Sequence, residues 1–106
     1  MPVKVLISRR VKQGMVLGLL NEMNQLRATA VIQPGYITGE TLTGLDNPEK
    51  VLVICTWDGE EQWRTWKEDP IRKSYEARME EMLLEPPQYE IFAYGALPVG
   101  MAYSNV

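Results

Sequence analysis

Apolar and polar side chains alternate along the first residues of the chain. In residues 3 to 9, VKVLISR, the positions Val3, Val5 and Ile7 fall on one side and Lys4, Leu6 and Ser8 on the other, a period of two that predicts a β-strand. After Gly14 the period changes. Between Met15 and about Thr29 the apolar positions take the spacing of a helix that buries one face, namely Val16, Leu19, Leu20, Met23 and Leu26.

Two further strands follow the break at Pro34-Gly35. Residues 36–42 and 50–57 are rich in β-branched and aromatic residues, and the short, turn-rich segment 44–48 separates them. A link this short joins antiparallel neighbours, so the two strands are predicted to form a hairpin.

The stretch TWDGEEQWRTWKEDPIRKSY, residues 56–75, holds all three tryptophans and begins the second half of the chain. Asp58 is a candidate cap for a short helix that Pro70 interrupts. Asp69-Pro70 has the pattern of an N-cap followed by proline at the first helical position. A new helix is therefore predicted from Pro70 to Leu84. Its apolar stripe consists of Ile71, Tyr75, Met79, Met82 and Leu83. Pro86-Pro87 ends it, and residues 88–94 alternate as a fourth strand.

The predicted order is strand, helix, strand, strand, helix, strand. This order is typical of the α+β ferredoxin-like fold, a split βαβ arrangement in which helices cover one face of a four-stranded antiparallel sheet. Right-handed crossovers place the first and third strands at its centre. We predict one domain over residues 1–95 and a C-terminal tail over 96–106.

The predicted sheet carries apolar residues on both faces. Val51, Val53, Cys55 and Trp57 point one way, while Leu52 and Ile54 point the other. If about six such side chains stayed exposed to water, the protein would lose hydrophobic stabilisation on the order of 10 kcal/mol. The simplest way to bury this face is a homodimer in which the two sheets pack against each other. A different partner protein would bury it equally well. The tail either reaches across to the partner or is a frayed terminus.

The amino-acid composition argues against several kinds of binding partner and of active-site chemistry. With a net charge of −3 and scattered Lys and Arg, the chain has no basic patch for nucleic acid or an anionic membrane. Its N-terminal apolar run is too short for a signal peptide, which predicts a cytoplasmic protein. There is one cysteine, so no intrachain disulfide, and no histidine, the usual metal ligand and general base near neutral pH.

A family resemblance emerges from several segments together: the opening strand, GETL before the hairpin, VICTWDGEEQWRTWKEDPIR, and the EPPQYEIF ending. Over about residues 3 to 94 the chain resembles the antibiotic biosynthesis monooxygenase superfamily of dimeric ferredoxin-like proteins. The superfamily holds cofactor-independent monooxygenases that form quinones, haem-degrading monooxygenases and members with no assigned activity. Fold alone therefore does not assign the chemistry.

The resemblance implies particular site residues. The positions that serve haem degradation fall on Ser8, Trp66 and Glu76, and only Trp66 has the expected residue type, so this branch is disfavoured and Glu76 is expected at the pocket rim or in solvent. The cofactor-independent branch requires an apolar cavity between sheet and helices. If the chain belongs to that branch, Trp66 forms part of the cavity wall and Tyr75 donates a hydrogen bond to the substrate. Ser8 is then a polar group at the cavity floor, provided that it faces the helices.

Each of these residues also has a purely structural interpretation. Trp63 and Trp66 share a helix face and are often core, and Tyr75 lies on the helix stripe. Arg9 and Arg10 either contact an anionic substrate at the mouth of the pocket or are solvated. The acidic residues are expected on the outer faces and first turns of helices, and we predict no metal site among them. We therefore predict a cofactor-independent monooxygenase acting on a small phenol or hydroquinone, with a non-catalytic dimeric ligand-binding module as the alternative.

Overall fold

A computed structural model of the chain describes residues 1–95, and the predicted role of the tail, residues 96–106, lies outside them. The described residues form four strands and three helices. In chain order these are β1 (Val3–Arg10), α1 (Val16–Ala30), β2 (Tyr36–Thr43), β3 (Lys50–Trp57), α2 (Glu60–Lys67), α3 (Pro70–Glu80) and β4 (Gln88–Ala93).

The sheet confirms the predicted fold class. Its four strands run antiparallel in the order β2-β3-β1-β4, with β1 and β3 at the centre and β2 paired to β3 as a hairpin. Because side chains alternate between the faces of a strand, the register fixes which residues meet the helices. Val5 lies between Cys55 and Ile91 on the face that the helices cover.

Helix α3 ends at Glu80, four residues earlier than the apolar stripe predicts. The segment after it pairs with the end of β1 instead: the Lys12 N–H donates to the Met82 carbonyl at 2.8 Å, and the Leu84 N–H donates to the Arg10 carbonyl at 2.8 Å. A bridge between Val11 and Leu83 accompanies these bonds. Met82 and Leu83 therefore reach the core from a turn, which periodicity alone does not distinguish from a further helical turn.

The starts of the two short helices differ. The Asp69 side chain accepts a hydrogen bond from the Ile71 N–H at 2.8 Å, as the Asp-Pro pattern predicts, and such a cap stabilises a helix by about 1 kcal/mol. The prediction for α2 is wrong by one residue, since Gly59 is the N-cap and makes no side-chain cap bond. Glu60 and Glu61 supply the favourable negative charge in its first turn.

The interior holds two clusters of buried side chains between the helices and the sheet. One contains all three tryptophans with Val3, Val5, Ile7, Ala30 and Cys55. The second packs α1 and α3 on the other end of the sheet through Val11, Leu19, Met23, Val51, Met79 and Leu83. Val53 and Leu26 contact both clusters and join them.

The sheet face away from the helices is partly apolar, as predicted. The register puts six large apolar side chains there, namely Leu6, Leu42, Leu52, Ile54, Phe92 and Tyr94, interspersed with Lys4, Glu40 and Glu90. Phe92 and Tyr94 are each about half exposed. Among residues 1–95 no helix has the length and apolar character to cross a membrane, and the cytoplasmic location stays a prediction.

Candidate active site

A cavity of about 60 Å³ lies between the helices and the first three strands. Its deep wall consists of buried residues from β1, β3, α2 and α3. The lining residues that reach solvent belong mainly to α1 and β2, so the cavity opens between those two elements. The full lining is Ile7, Arg9, Met23, Leu26, Arg27, Ala30, Tyr36, Gly39, Val53, Cys55, Trp57, Trp63, Trp66 and Arg72.

The alternation along β1 decides which of its polar residues reaches the cavity. Ile7 and Arg9 lie on the helix side with the buried Val5, whereas Ser8 lies on the opposite face between Leu52 and Gln88. This corrects the expectation that Ser8 forms the cavity floor. The physical reason is the two-residue period, because a shift of one position reverses the face.

Trp63 and Trp66 both line the cavity and both belong to the core. The two indoles stand three residues apart on α2 and share its buried face, so both have a structural and a cavity-lining position. Trp66 also borders a surface pocket formed with Gln33, Pro34, Gln62 and Asp69. Its ring therefore lies between the cavity and the surface, and its part in binding a substrate stays a prediction.

Tyr75 is not among the cavity residues. It packs, partly buried, on the second core cluster, and the Arg78 guanidinium lies 4.3 Å from its ring centroid. Helix α3 turns a different residue toward the cavity: Arg72 is 3% exposed, while Ile71, which the stripe predicts to be buried, is 51% exposed.

Glu76 joins two buried arginines from different elements. One of its oxygens accepts a hydrogen bond from Arg9 on β1, and the same oxygen lies 3.3 Å from Arg72 Nη2. The carboxylate is 18% exposed and Arg9 only 2%. Glu76 is therefore held mainly by ion pairs inside the fold, which corrects the expectation that it lies at the rim or in solvent. Of the two alternatives for Arg9, the solvated one is wrong, because the side chain is buried and lines the cavity, whereas Arg10 is exposed.

Arg72 also packs on the aromatic wall. Its guanidinium carbon lies 5.2 Å from the Trp63 ring centroid and 5.5 Å from that of Tyr89, and its Nη2 donates to the Tyr89 hydroxyl at 3.1 Å. Cation–π contacts of this kind favour a charged group over an aromatic face when water is excluded. The guanidinium is thereby fixed in place by a carboxylate, a hydroxyl and two rings.

A neutral thiol lies in the cavity wall. Burial raises the pKa of the Cys55 thiol, outweighing a hydrogen bond from Trp57 and the charges of Arg72, Arg27 and Arg9, all of which lower it. Burial likewise raises the pKa of the Tyr36 phenol. Neither group supplies an anion at neutral pH; the thiol donates to the Val5 carbonyl at 3.8 Å, and the phenol remains available as a hydrogen-bond donor.

The raised thiol pKa predicts a loss of stability in mild alkali. Between the ordinary thiol pKa of 9.0 and the higher folded value, the native state keeps the Cys55 proton that the unfolded state loses. The free energy of unfolding should therefore fall as pH rises above about 9. Urea unfolding at pH 7.5 and pH 10 measures this fall, which should be shallower in Cys55→Ala; equal slopes in the two proteins would contradict the prediction.

Sequence reasoning left Arg9 open between the pocket and solvent, and it missed the place of Arg72 in the cavity wall. Two signals in the sequence point to them. Arg9 continues the buried alternation of Val3, Val5 and Ile7, and Arg72 stands four residues before Glu76, the spacing of a helical ion pair. No group of three potential metal ligands occurs within residues 1–95.

These observations define the class: a ferredoxin-like α+β domain with an aromatic, arginine-bearing cavity between its helices and sheet. The chain matches no family profile, and no curated protein matches it in sequence.

Solved structures are similar to it over nearly their whole length. A conserved protein from Methanosarcina mazei Go1 is 20% identical, with a TM-score of 0.82 over 87% of this chain and 91% of that one. A putative antibiotic biosynthesis monooxygenase from Nitrosomonas europaea is 13% identical, with a TM-score of 0.82 over 91% and 94%. SnoaB, a cofactor-independent oxygenase from Streptomyces nogalater, is 17% identical, with a TM-score of 0.79 over 92% and 97%.

The chain has the fold of the antibiotic biosynthesis monooxygenase superfamily, and the resemblance in its sequence is confirmed at that level.

Proposed function

We propose that the protein is a cofactor-independent monooxygenase that oxidises a small phenol or hydroquinone with O₂ in the helix–sheet cavity. The observation that carries the proposal is the composition of the cavity wall, which combines three indoles with the guanidinium groups of Arg9, Arg27 and Arg72. Aromatic rings accommodate an aromatic substrate, and fixed positive charge stabilises its anion.

The chemistry requires little from the protein. Positive charge beside a bound phenol lowers its pKa, so its proton leaves to water without an imidazole base. The resulting anion passes an electron to O₂, and recombination forms a carbon–oxygen bond. For a hydroquinone the balance is substrate plus O₂ to hydroxyquinone plus water, so the substrate supplies all the electrons. The part of Trp66 is to hold the ring in place, and Ser8 and Tyr75, which lie away from the cavity, take no part.

The small volume of the cavity favours a second candidate, a dimeric module that binds a small ligand without turnover. A cavity of about 60 Å³ has room for about two water molecules, whereas about 150 Å³ holds a benzene ring. An aromatic substrate must therefore displace side chains. Met23 and Arg27, both on α1, have long unbranched side chains that can take other rotamers to admit it.

Oxygen uptake separates the two candidates. Aerobic incubation with a panel of hydroquinones should give O₂ consumption above the uncatalysed rate, and Trp66→Phe should lower it, because the smaller ring no longer holds the substrate against the opposite wall. Consumption by the wild type no faster than by Trp66→Phe would reject the monooxygenase. A small molecule retained in native mass spectrometry without turnover would then support the binding module.

We further propose that two copies associate through the apolar sheet face. Leu52 lies on that face beside Leu42, and an isologous contact would cover both copies at once. Sedimentation velocity should give twice the 12.1 kDa chain mass for the wild type and a monomer for Leu52→Lys. Leu17→Lys, at an exposed position on α1, is the matched control and should remain dimeric. A monomeric wild type would contradict the proposal.

A further inference from the structure

The cavity carries more positive than negative charge. Arg9 and Arg72 are nine-tenths or more buried and share the single carboxylate of Glu76. One of these two guanidinium charges therefore lacks a counter-charge. Burying a charge without a partner is costly, so an excess of this kind is retained where a ligand or mechanism uses it.

A third guanidinium adds to the excess. Arg27 on α1 donates to the Thr41 hydroxyl at 2.8 Å, and it forms no ion pair within residues 1–95. The described lining includes no aspartate or glutamate. Cys55 and Tyr36 stay neutral for the reason given above, so neither offsets the three arginines.

Two buried N–H donors on the same wall have no acceptor. Arg9 Nε and Trp63 Nε1 each lack a hydrogen-bond partner among the described residues, although both side chains are at least 98% buried. The great majority of buried polar groups in folded proteins are paired. The two residues are connected, since Arg9 binds Glu76, Glu76 pairs with Arg72, and Arg72 packs on the Trp63 ring.

We infer that the cavity takes an aromatic anion whose charged oxygen, carboxylate or ionised phenol, accepts hydrogen bonds from Arg9 Nε and Trp63 Nε1. Arg72 and Arg27 supply the remaining positive charge, and the indoles of Trp57 and Trp66 contact the ring. The inference rests on the proposed function only in placing the substrate in this cavity, because an anion of this class binds whether or not it reacts with oxygen.

Isothermal titration calorimetry without oxygen tests the inference apart from turnover. The probes are 2-naphthoate and its neutral counterpart 2-naphthamide, which share a ring system and differ in charge. The wild type should bind naphthoate at least about tenfold more tightly, as expected when charged hydrogen bonds distinguish the two. Equal binding of the two probes, or binding of neither, would overturn the inference. 4-Nitrophenolate, which forms near neutral pH and so below the range that weakens the fold, tests the phenolate form against neutral nitrobenzene.

Variants locate the anion. Arg9→Met should abolish the preference for naphthoate, and its fold should persist because Glu76 keeps Arg72 as partner. Trp63→Phe keeps an aromatic ring in the core while removing the second donor, and should weaken naphthoate binding several-fold without affecting naphthamide. Arg64→Met, at an exposed ion pair with Glu60, is the matched control and should leave both affinities unchanged. An unchanged preference in both cavity variants would overturn the assignment.

The outcomes also separate this inference from the proposed function. Preferential binding of naphthoate with no oxygen uptake on any hydroquinone would uphold the anion site and reject the monooxygenase. Oxygen uptake with equal binding of naphthoate and naphthamide would uphold the monooxygenase and reject the anion site.

Discussion

Replacing Glu76 with glutamine is expected to lower the free energy of unfolding by about 3 kcal/mol, the lower end of the range for removing one member of a buried ion pair. The amide leaves Arg9 and Arg72 together without an anion, although both are almost fully buried. The figure is at the lower end because the carboxylate is 18% exposed and water screens it in part. In a chain of this size the melting temperature should fall by about 15 °C.

Glu60→Gln is the matched control for this experiment. Glu60 also pairs with an arginine, Arg64, but both side chains are more than half exposed. Pairs of that kind contribute about 0.5 kcal/mol or less, so the control should unfold close to the wild type. Equal stability of the two variants in urea would show that the Arg9–Glu76–Arg72 contact does not hold the cavity wall together.

Replacing Trp57 with alanine is expected to cost about 4 kcal/mol, within the range for deleting a fully buried indole. Trp57 is 1% exposed, lies edge-on to Tyr36 with ring centroids 5.5 Å apart, and contacts Trp63 at 5.9 Å. Its N–H donates to Cys55 Sγ at 3.4 Å. The variant loses these contacts and leaves a larger hole beside the existing cavity, because neighbouring side chains collapse only in part.

Indole itself offers a control for the Trp57 prediction. An apolar cavity of the right size binds small aromatic molecules, and a ligand that binds only the folded state raises stability. Added indole should therefore raise the melting temperature of Trp57→Ala and leave Leu45→Ala, at a residue 98% exposed, unaffected. A variant that unfolds like the wild type would contradict the placement of Trp57 in the core.

Much of the fold was predictable from periodicity. The strands alternate with a period of two, and the Asp69-Pro70 pattern marks the start of α3, whereas Pro86-Pro87 stands directly before β4 and not at the end of the helix. The end of α3 was not predictable in this way. Met82 and Leu83 continue the helical spacing, yet their segment pairs with β1, a contact between residues about seventy positions apart that no local pattern encodes.

The site was predictable in part. Trp66 was chosen from its place in the resembling segment, and it does line the cavity, although its role stays a prediction. Ser8 lies on the other face of the sheet, because neighbouring residues of a strand point to opposite faces and an error of one position reverses the face. Arg9 was left open between pocket and solvent and Arg72 was missed, because arginine is rarely buried and the burial of both side chains depends on their partner Glu76. The volume of the cavity depends on how neighbouring side chains pack, which apolar composition alone does not determine.

In the proposed reaction, O₂ gives one of its atoms to an aromatic substrate held in this cavity. Mass spectrometry of the product formed from a hydroquinone under ¹⁸O₂ tests it most directly, with Ala30→Leu as a variant that fills the cavity. We expect a hydroxyquinone carrying one labelled oxygen atom from the wild type, and little of it from Ala30→Leu. An unlabelled quinone with hydrogen peroxide, or equal labelled product from both proteins, would contradict it.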